Sequence, residues 1–362
     1  MNLTRRALGL GILAASAAAT GGYLALEHTP LLGKVTDLTG FVGGEKRGFL
    51  SNPKTIAALR SKGFAVDGKQ AGSVEMVREQ TLLQQNPAFL WPSSSVMVQI
   101  AKDNHVGVRR SEIILNSPLV IYSWENVANG LEAAGLVKKE ASGIRTINLE
   151  AYLKALQTDK TWADLGVKEL YGKARIVSTN PNQSNSGFMF AGLVANVMGG
   201  NVATIDQLDR LLPDVVNLFR RMGFKPNSSG SLFEDYIAGG PGAYPMTVLY
   251  ESQLIEWALA DAARWQRVMA GSSKPVILYP TPTAYSAHPL MSLKLEADPL
   301  SDALLSPELQ DIAWSHHGFR GALGAPGAVA NADLPKVPDR LDAIVPMPDG
   351  AVMLKLLDAL AA

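Results

Sequence analysis

The chain contains no cysteine in 362 residues. A disulfide, a thiolate metal site, a cysteine nucleophile and a lipid anchor on an N-terminal cysteine are therefore all excluded, and stability must come from packing. An excess of either charge is also missing, since 33 Lys and Arg balance 33 Asp and Glu. Without a general field to attract polyanions or anionic lipid, nucleic acid is not an expected partner and any anion site must be local. Charged residues make up only 18% of the chain against 47% hydrophobic, which argues against long disordered tails.

Catalytic signatures are equally thin. No G-x-S-x-G elbow occurs, and Ser51-Asn52-Pro53-Lys54 fits the S-x-x-K nucleophile motif without an S-D-N or K-T-G companion. Asn52-Pro53 already explains that stretch as the cap and first residue of a helix. The five histidines are scattered apart from His316 and His317, and neighbours on a helix point about 100° apart, too divergent to share one ion. They are expected on a surface near Trp314. No metal site, no cofactor and no enzymatic activity are expected, with a serine hydrolase as the enzymatic alternative.

The N-terminus is more telling. Arg5-Arg6 precedes an uncharged stretch from Ala7 to Leu26 that ends at Glu27. Positive charge before an apolar run places the N-terminus in the cytoplasm and sends the remainder outward. Ala15-Ser16-Ala17 and Ala17-Ala18-Ala19 offer small-residue cleavage sites, yet Tyr23-Leu24-Ala25-Leu26 continues the run past both. Residues 1–28 read as a signal peptide or a membrane anchor, and Thr4-Arg5-Arg6-Ala7-Leu8 also resembles a twin-arginine export signal.

Beyond it the length suggests two or three domain-sized units. Short apolar strands alternate with longer helical stretches, the mark of α/β architecture with open, largely parallel sheets. Strands are expected at Ala174–Val177, Leu119–Tyr122, Met246–Tyr250 and Pro275–Pro280. Helices are expected after Asn52-Pro53 to Gly63, from Trp124 to Ala134, from Gly187 to Met198, and from a capping box at Thr204-Ile205-Asp206-Gln207 through Leu211. A separate stripe runs from Val215 to Met222. Pro226 to Gly230 reads as a loop, Gly318 to Val337 as a surface excursion, and Ala351 to Leu360 as a docked terminal helix.

The stretch richest in chemistry is Thr179-Asn180-Pro181-Asn182-Gln183-Ser184-Asn185-Ser186-Gly187, which opens onto the apolar run from Phe188 to Ala195. A hydroxyl-rich, glycine-terminated turn that starts a buried helix aims unpaired N–H groups at one spot, suited to an anion or a polar oxygen. Simple helix capping by Ser184 or Ser186 accounts for the same residues.

With these elements in order, the chain resembles the extracellular (periplasmic) solute-binding proteins of type II, the two-lobed family that includes binders of molybdate, sulfate and phosphate. The resemblance runs from about Gly33 to about Leu360. It is carried by Gly43-Gly44-Glu45-Lys46, Ser117-Pro118-Leu119-Val120-Ile121, the turn from Thr179 to Gly187, Val248-Leu249-Tyr250-Glu251-Ser252, Tyr279-Pro280, His288-Pro289 and Gly318-Phe319-Arg320. It implies two Rossmann-like lobes joined by crossing strands, lobe one from residues 33–118 plus 279–362 and lobe two from 119–278. It further implies a small-molecule or oxyanion ligand in the cleft between them and a membrane transporter or receptor as partner.

Lobe one would contribute Gly43, Gly44, Glu45 and Lys46, where glycines let a ligand approach the backbone and Lys46 supplies charge. Glu45 beside an anion site weakens it unless paired with Lys46, so a ligand with a cationic or hydroxyl group is admitted. Ser93, Ser94 and Ser95 either add donors or cap the next helix. Lobe two would contribute Thr179, Ser184, Asn185, Ser186 and Gly187, with Tyr250 and Glu251 nearby. The expected function is solute binding outside the cytoplasm, for transport or sensing. The alternative is a membrane-anchored interaction module with a degenerate site.

Overall fold

Alternation along three neighbouring strands divides the first part of the molecule into two cores. In β1 (Thr36–Val42), Leu38 and Val42 enter one apolar cluster while Phe41 enters another. After β2 (Phe64–Gln70), β3 (Phe89–Trp91) repeats the pattern, with Phe89 and Trp91 on one side and Leu90 on the other. Successive strand side chains point to opposite faces, so each strand feeds the core above and the core below it. The computed structural model describes residues 35–322, 334–341 and 343–361. The N-terminal arginines and apolar run lie outside the described residues, as does the middle of the Gly318 to Val337 stretch.

The longest strand, β4 (Arg110–Trp124), belongs to both sheets. It is followed by β5 (Val137–Lys139), β6 (Arg145–Asn148), β7 (Met246–Tyr250), β8 (Pro275–Thr281), β9 (Tyr285–Ser292) and β10 (Arg320–Gly321). The first half of β4 pairs antiparallel with β9 and β10, completing a first sheet in the order β2-β1-β3-β9-β4-β10. Its second half pairs antiparallel with β7 and β8, and β8 continues to β6 and β5. The change of partners falls at Pro118, opposite Tyr285, and Leu119, opposite Tyr250. Proline lacks the N–H that a central ladder needs and is tolerated at such irregular points. β8 and β9 make the return passage between the two sheets.

Several expectations need correction. The sheets are mixed, with β1–β2, β1–β3 and β6–β8 parallel and the other pairs antiparallel, because the crossing strands run in opposite directions. Ala174–Val177 is not a strand: Val177 alone bridges Thr247, exchanging backbone hydrogen bonds with Met246 and Val248. Trp124 ends β4 and caps the helix Glu125–Ala133. Ile205–Arg221 is one helix that runs through Pro213, and Thr204 makes no side-chain cap. Burial of Leu208, Leu211, Val215, Leu218 and Phe219 along one face outweighs the single hydrogen bond that proline removes. The expected loop after Pro226 turns into the helix Ser229–Ala243. Phe319 and Arg320, read as the start of a surface excursion, are buried. So is His317, expected on the surface.

Candidate functional site

Local capping chemistry brings the turns of the first sheet opposite helix starts of the second. Gly43 and Gly44 follow β1, Ala71 to Ser73 follow β2, and Ser93 follows β3, so all three turns stand at the C-terminal ends of parallel strands. Across from them lie Gln183 to Asn185 at the mouth of the helix Asn185–Gly199, Asn227 to Ser231 at the mouth of Ser229–Ala243, and Gln253, Glu256 and Trp257 on Glu251–Ala260. Together they line a cleft of about 1080 Å³. Ligands in open α/β sheets sit at this kind of place, outside strand C-termini and against helix N-termini.

The floor of the cleft is a hydrogen-bonded network centred on Ser93. Its hydroxyl donates to Glu45 Oε1 and accepts from Lys46 Nζ at 2.9 Å. Its carbonyl accepts from Asn185 Nδ2 at 2.7 Å and from the Ser286 hydroxyl at 2.5 Å. Lys46 is fully buried, 2.5 Å from Glu45 Oε1 and 3.1 Å from His288 Nδ1. His288 Nε2 lies 3.1 Å from Ser286 Oγ. With Nδ1 facing an ammonium and Ser286 able to accept, the proton of neutral His288 belongs on Nε2.

Electrostatics follow from that packing. Burial alone would raise the Glu45 carboxyl, but the Lys46 ammonium and the Ser93 hydrogen bond outweigh it and hold the group at about 2. Burial, reinforced by the Lys46 charge, pushes His288 well below the ordinary histidine range. Burial lowers the Lys46 ammonium as well, against the opposing pull of Glu45. Gly43 leaves the room for this cluster, since a Cβ there would stand 2.4 Å from Ser93 Oγ and 2.5 Å from Glu45 Oε1.

Gly43, Gly44, Glu45, Ser93, Ser184 and Asn185 line the cleft. The other sequence-derived candidates do not line it. Lys46 faces inward, Ser94 accepts from the Val96 N–H, and Ser95 precedes the helix Val96–Asp103 without a side-chain cap. Thr179 and Ser186 are buried with their hydroxyls 2.8 Å apart, and Ser184 reaches Ser186 at 3.2 Å. Gly187 packs on the end of that turn, where a Cβ would meet the Thr179 carbonyl oxygen at 2.3 Å. Tyr250 receives a hydrogen bond from Asn185 Nδ2 at 2.9 Å, and burial followed by the nearby Glu45 charge raises its phenol. Glu251 is fully buried in an ion pair with Arg320, at 2.7 Å from Nε, and accepts from the Tyr279 hydroxyl at 2.7 Å. That pair ties the start of a second-sheet helix to β10 of the first sheet.

Sequence reasoning missed Asn227 to Ser231, Arg47, Phe233, Trp257 and Arg264, all of which line the cleft. The Ser228-x-x-Ser231 spacing, with Ser228 accepting from the Ser231 N–H at 3.1 Å, repeats the Ser- and Gly-rich helix mouth found at Ser184 to Gly187. Trp257 carried no such signal; it takes its place through Arg264, whose guanidinium stacks 4.1 Å from its ring centroid and donates to its carbonyl at 2.7 Å. Among the described residues no group of three or more His, Asp or Glu side chains is placed to hold a metal ion.

No protein-family model and no curated protein matches this chain. Solved structures do. Iron-bound HitA from Pseudomonas aeruginosa is similar with a TM-score of 0.57 at 12% identity, over 90% of this chain and 100% of that one. The substrate-binding protein of an ABC transporter from Agrobacterium tumefaciens gives 0.54 at 13% identity, over 91% and 95%. The sulfate-binding protein SubI from Mycobacterium tuberculosis gives 0.51 at 15% identity, over 88% and 96%. A strand shared by two sheets, a return passage beside it and a cleft between them are features of one architecture: the fold is that of the type II, two-lobed periplasmic solute-binding proteins.

Proposed function

We propose that this chain is a non-enzymatic binding protein that works outside the cytoplasm, holds a small polar solute in the cleft and presents it to a membrane transporter or receptor. Residues 33–118 and the stretch from β9 to β10 form one lobe and 119–284 the other. The terminal helix Gly350–Ala361, expected in lobe one, packs instead on the lobe-two helices Asn185–Gly199 and Ile205–Arg221, with Lys355 paired to Asp209. Gly43, Gly44, Glu45, Ser93, Ser184 and Asn185 face the solute. The single observation that carries this reading is the cleft itself, about 1080 Å³ between strand ends and helix mouths, at the upper end of the range for small-molecule sites. The similar structures, bearing the names of an iron-bound protein, a sulfate-binding protein and an ABC-transporter binding protein, support a carrier role without naming its cargo. Residues 7–26 hold the protein at the membrane or are removed from it, and mass spectrometry of the mature N-terminus separates the two.

Thermal unfolding against oxyanions, sugars, amino acids and amines tests the proposal. A solute that binds only the native state raises its stability by about 2.7 kcal/mol at a hundredfold excess over Kd. At least one member of such a panel is expected to raise Tm. A flat response across all four classes would end the binding-protein reading.

A further inference from the structure

The side-chain donors nearest the floor of the cleft are largely engaged inside the protein. The Ser93 hydroxyl is given to Glu45, the hydroxyls of Thr179, Ser184 and Ser186 bond one another, and Asn185 Nδ2 is shared between the Ser93 carbonyl and Tyr250. Two side-chain acceptors of this cluster keep bonding capacity. Asn185 is 8% exposed and its Oδ1 has no hydrogen-bond partner. Its amide cannot be turned round to cure this, because the Ser93 carbonyl requires the NH₂ side. Glu45, whose side chain is 8% exposed, engages its protein partners through Oε1.

Both belong to residues that line the cleft and bond to Ser93, Glu45 through its hydroxyl and Asn185 through its carbonyl. A buried acceptor left unpaired is costly, and a donor that reaches it is correspondingly favoured. Lys46 neutralises Glu45 from behind but is itself fully buried; a ligand therefore meets the carboxylate face of the pair. Around the rim, Glu75, Glu234 and Glu256 face Arg47 and Arg264, which leaves the balance negative.

Size points the same way. A cleft of about 1080 Å³ has room for an organic body. Phe233 and Trp257, in edge contact at 6.0 Å, offer one wall to an apolar body.

Resting on the solute-binding reading above, we propose that the solute is organic and carries a primary ammonium group, which seats against the Glu45 carboxylate beside Asn185. Calorimetric titration of the full-length chain with matched probes tests it: glucosamine against glucose and N-acetylglucosamine, Nα-acetyl-lysine against Nα,Nε-diacetyl-lysine, ethanolamine against ethylene glycol, with sulfate and phosphate as the oxyanions. Binding is expected among the free amines, weakened at least about tenfold when the amine is acetylated or replaced by hydroxyl. The double variant Glu45→Gln/Lys46→Met, which leaves no lone buried charge behind, is expected to lose the amine to the same degree. Sulfate, phosphate or a neutral sugar binding as tightly as any amine would preserve the carrier function and overturn this inference. Binding by none of the probes, with a flat thermal panel, would remove both.

Discussion

At the scale of single residues, three titratable groups share one dry corner, and each is tolerated only through its neighbours. Removing one member of a buried ion pair strands the other at a cost of about 3–5 kcal/mol, so Glu45 and Lys46 stand or fall together. Their environment also sets a pH dependence. Below about pH 6.5 the denatured chain binds a proton on His288, whereas the folded chain, with that imidazole buried beside Lys46, does not. The unfolded state then carries more protons, so stability falls as pH drops through that point. Glu45, held at about 2 when folded, adds a second loss between about pH 4.5 and pH 2. Urea midpoints taken from pH 8 to pH 4 are expected to decline below about 6.5 in the native sequence and to lose that upper slope in His288→Asn. An unaltered slope in the variant would assign the dependence elsewhere.

Among elements, helix mouths do most to shape the cleft, and they were unequally legible. The turn from Thr179 to Gly187 could be read because Ser, Asn and Gly stand directly before an unbroken apolar run. Asn227 to Ser231 has the same chemistry, but the helix it starts is interrupted by Gly239, Gly240 and Pro241, so no periodic stripe drew attention to its beginning. The central strand was half visible for a similar reason: Leu119 to Tyr122 is buried throughout, whereas Arg110 to Ile113 is partly exposed and patterned by the Arg110–Asp302 ion pair rather than by hydrophobicity. The inward turn of Lys46 left no trace in the sequence, since its partners Ser93 and His288 are distant in the chain. Gly187 permits the helix Asn185–Gly199 to sit against the Thr179 carbonyl. Gly187→Ala should therefore cost about 1–3 kcal/mol through overpacking against rigid backbone, measured by the urea midpoint. A variant as stable as the native chain would mean that the turn gives way freely.

For the whole molecule, the two sheets share β4 and the β8 to β9 passage, with the Glu251–Arg320 pair crossing beside them. Two bodies joined by few strands close by hinge motion around what they hold. Asn185 donating to the Ser93 carbonyl places a second-sheet helix directly on a first-sheet turn, a contact that hinge motion would make and break. Small-angle scattering is expected to give a larger radius of gyration for the free protein than for the protein saturated with whichever solute raises its Tm. Equal radii in the two states would mean that the solute enters without closure.

The place of β9 between β3 and β4 has a consequence for biosynthesis. A nascent chain that has emerged only as far as β8 holds the two flanking strands but not the one that separates them, and the first sheet cannot be completed until Tyr285–Ser292 arrives. Long-range pairing of this kind is slow and delays consolidation. The late arrival of one strand thus leaves the first sheet open at its centre through most of translation.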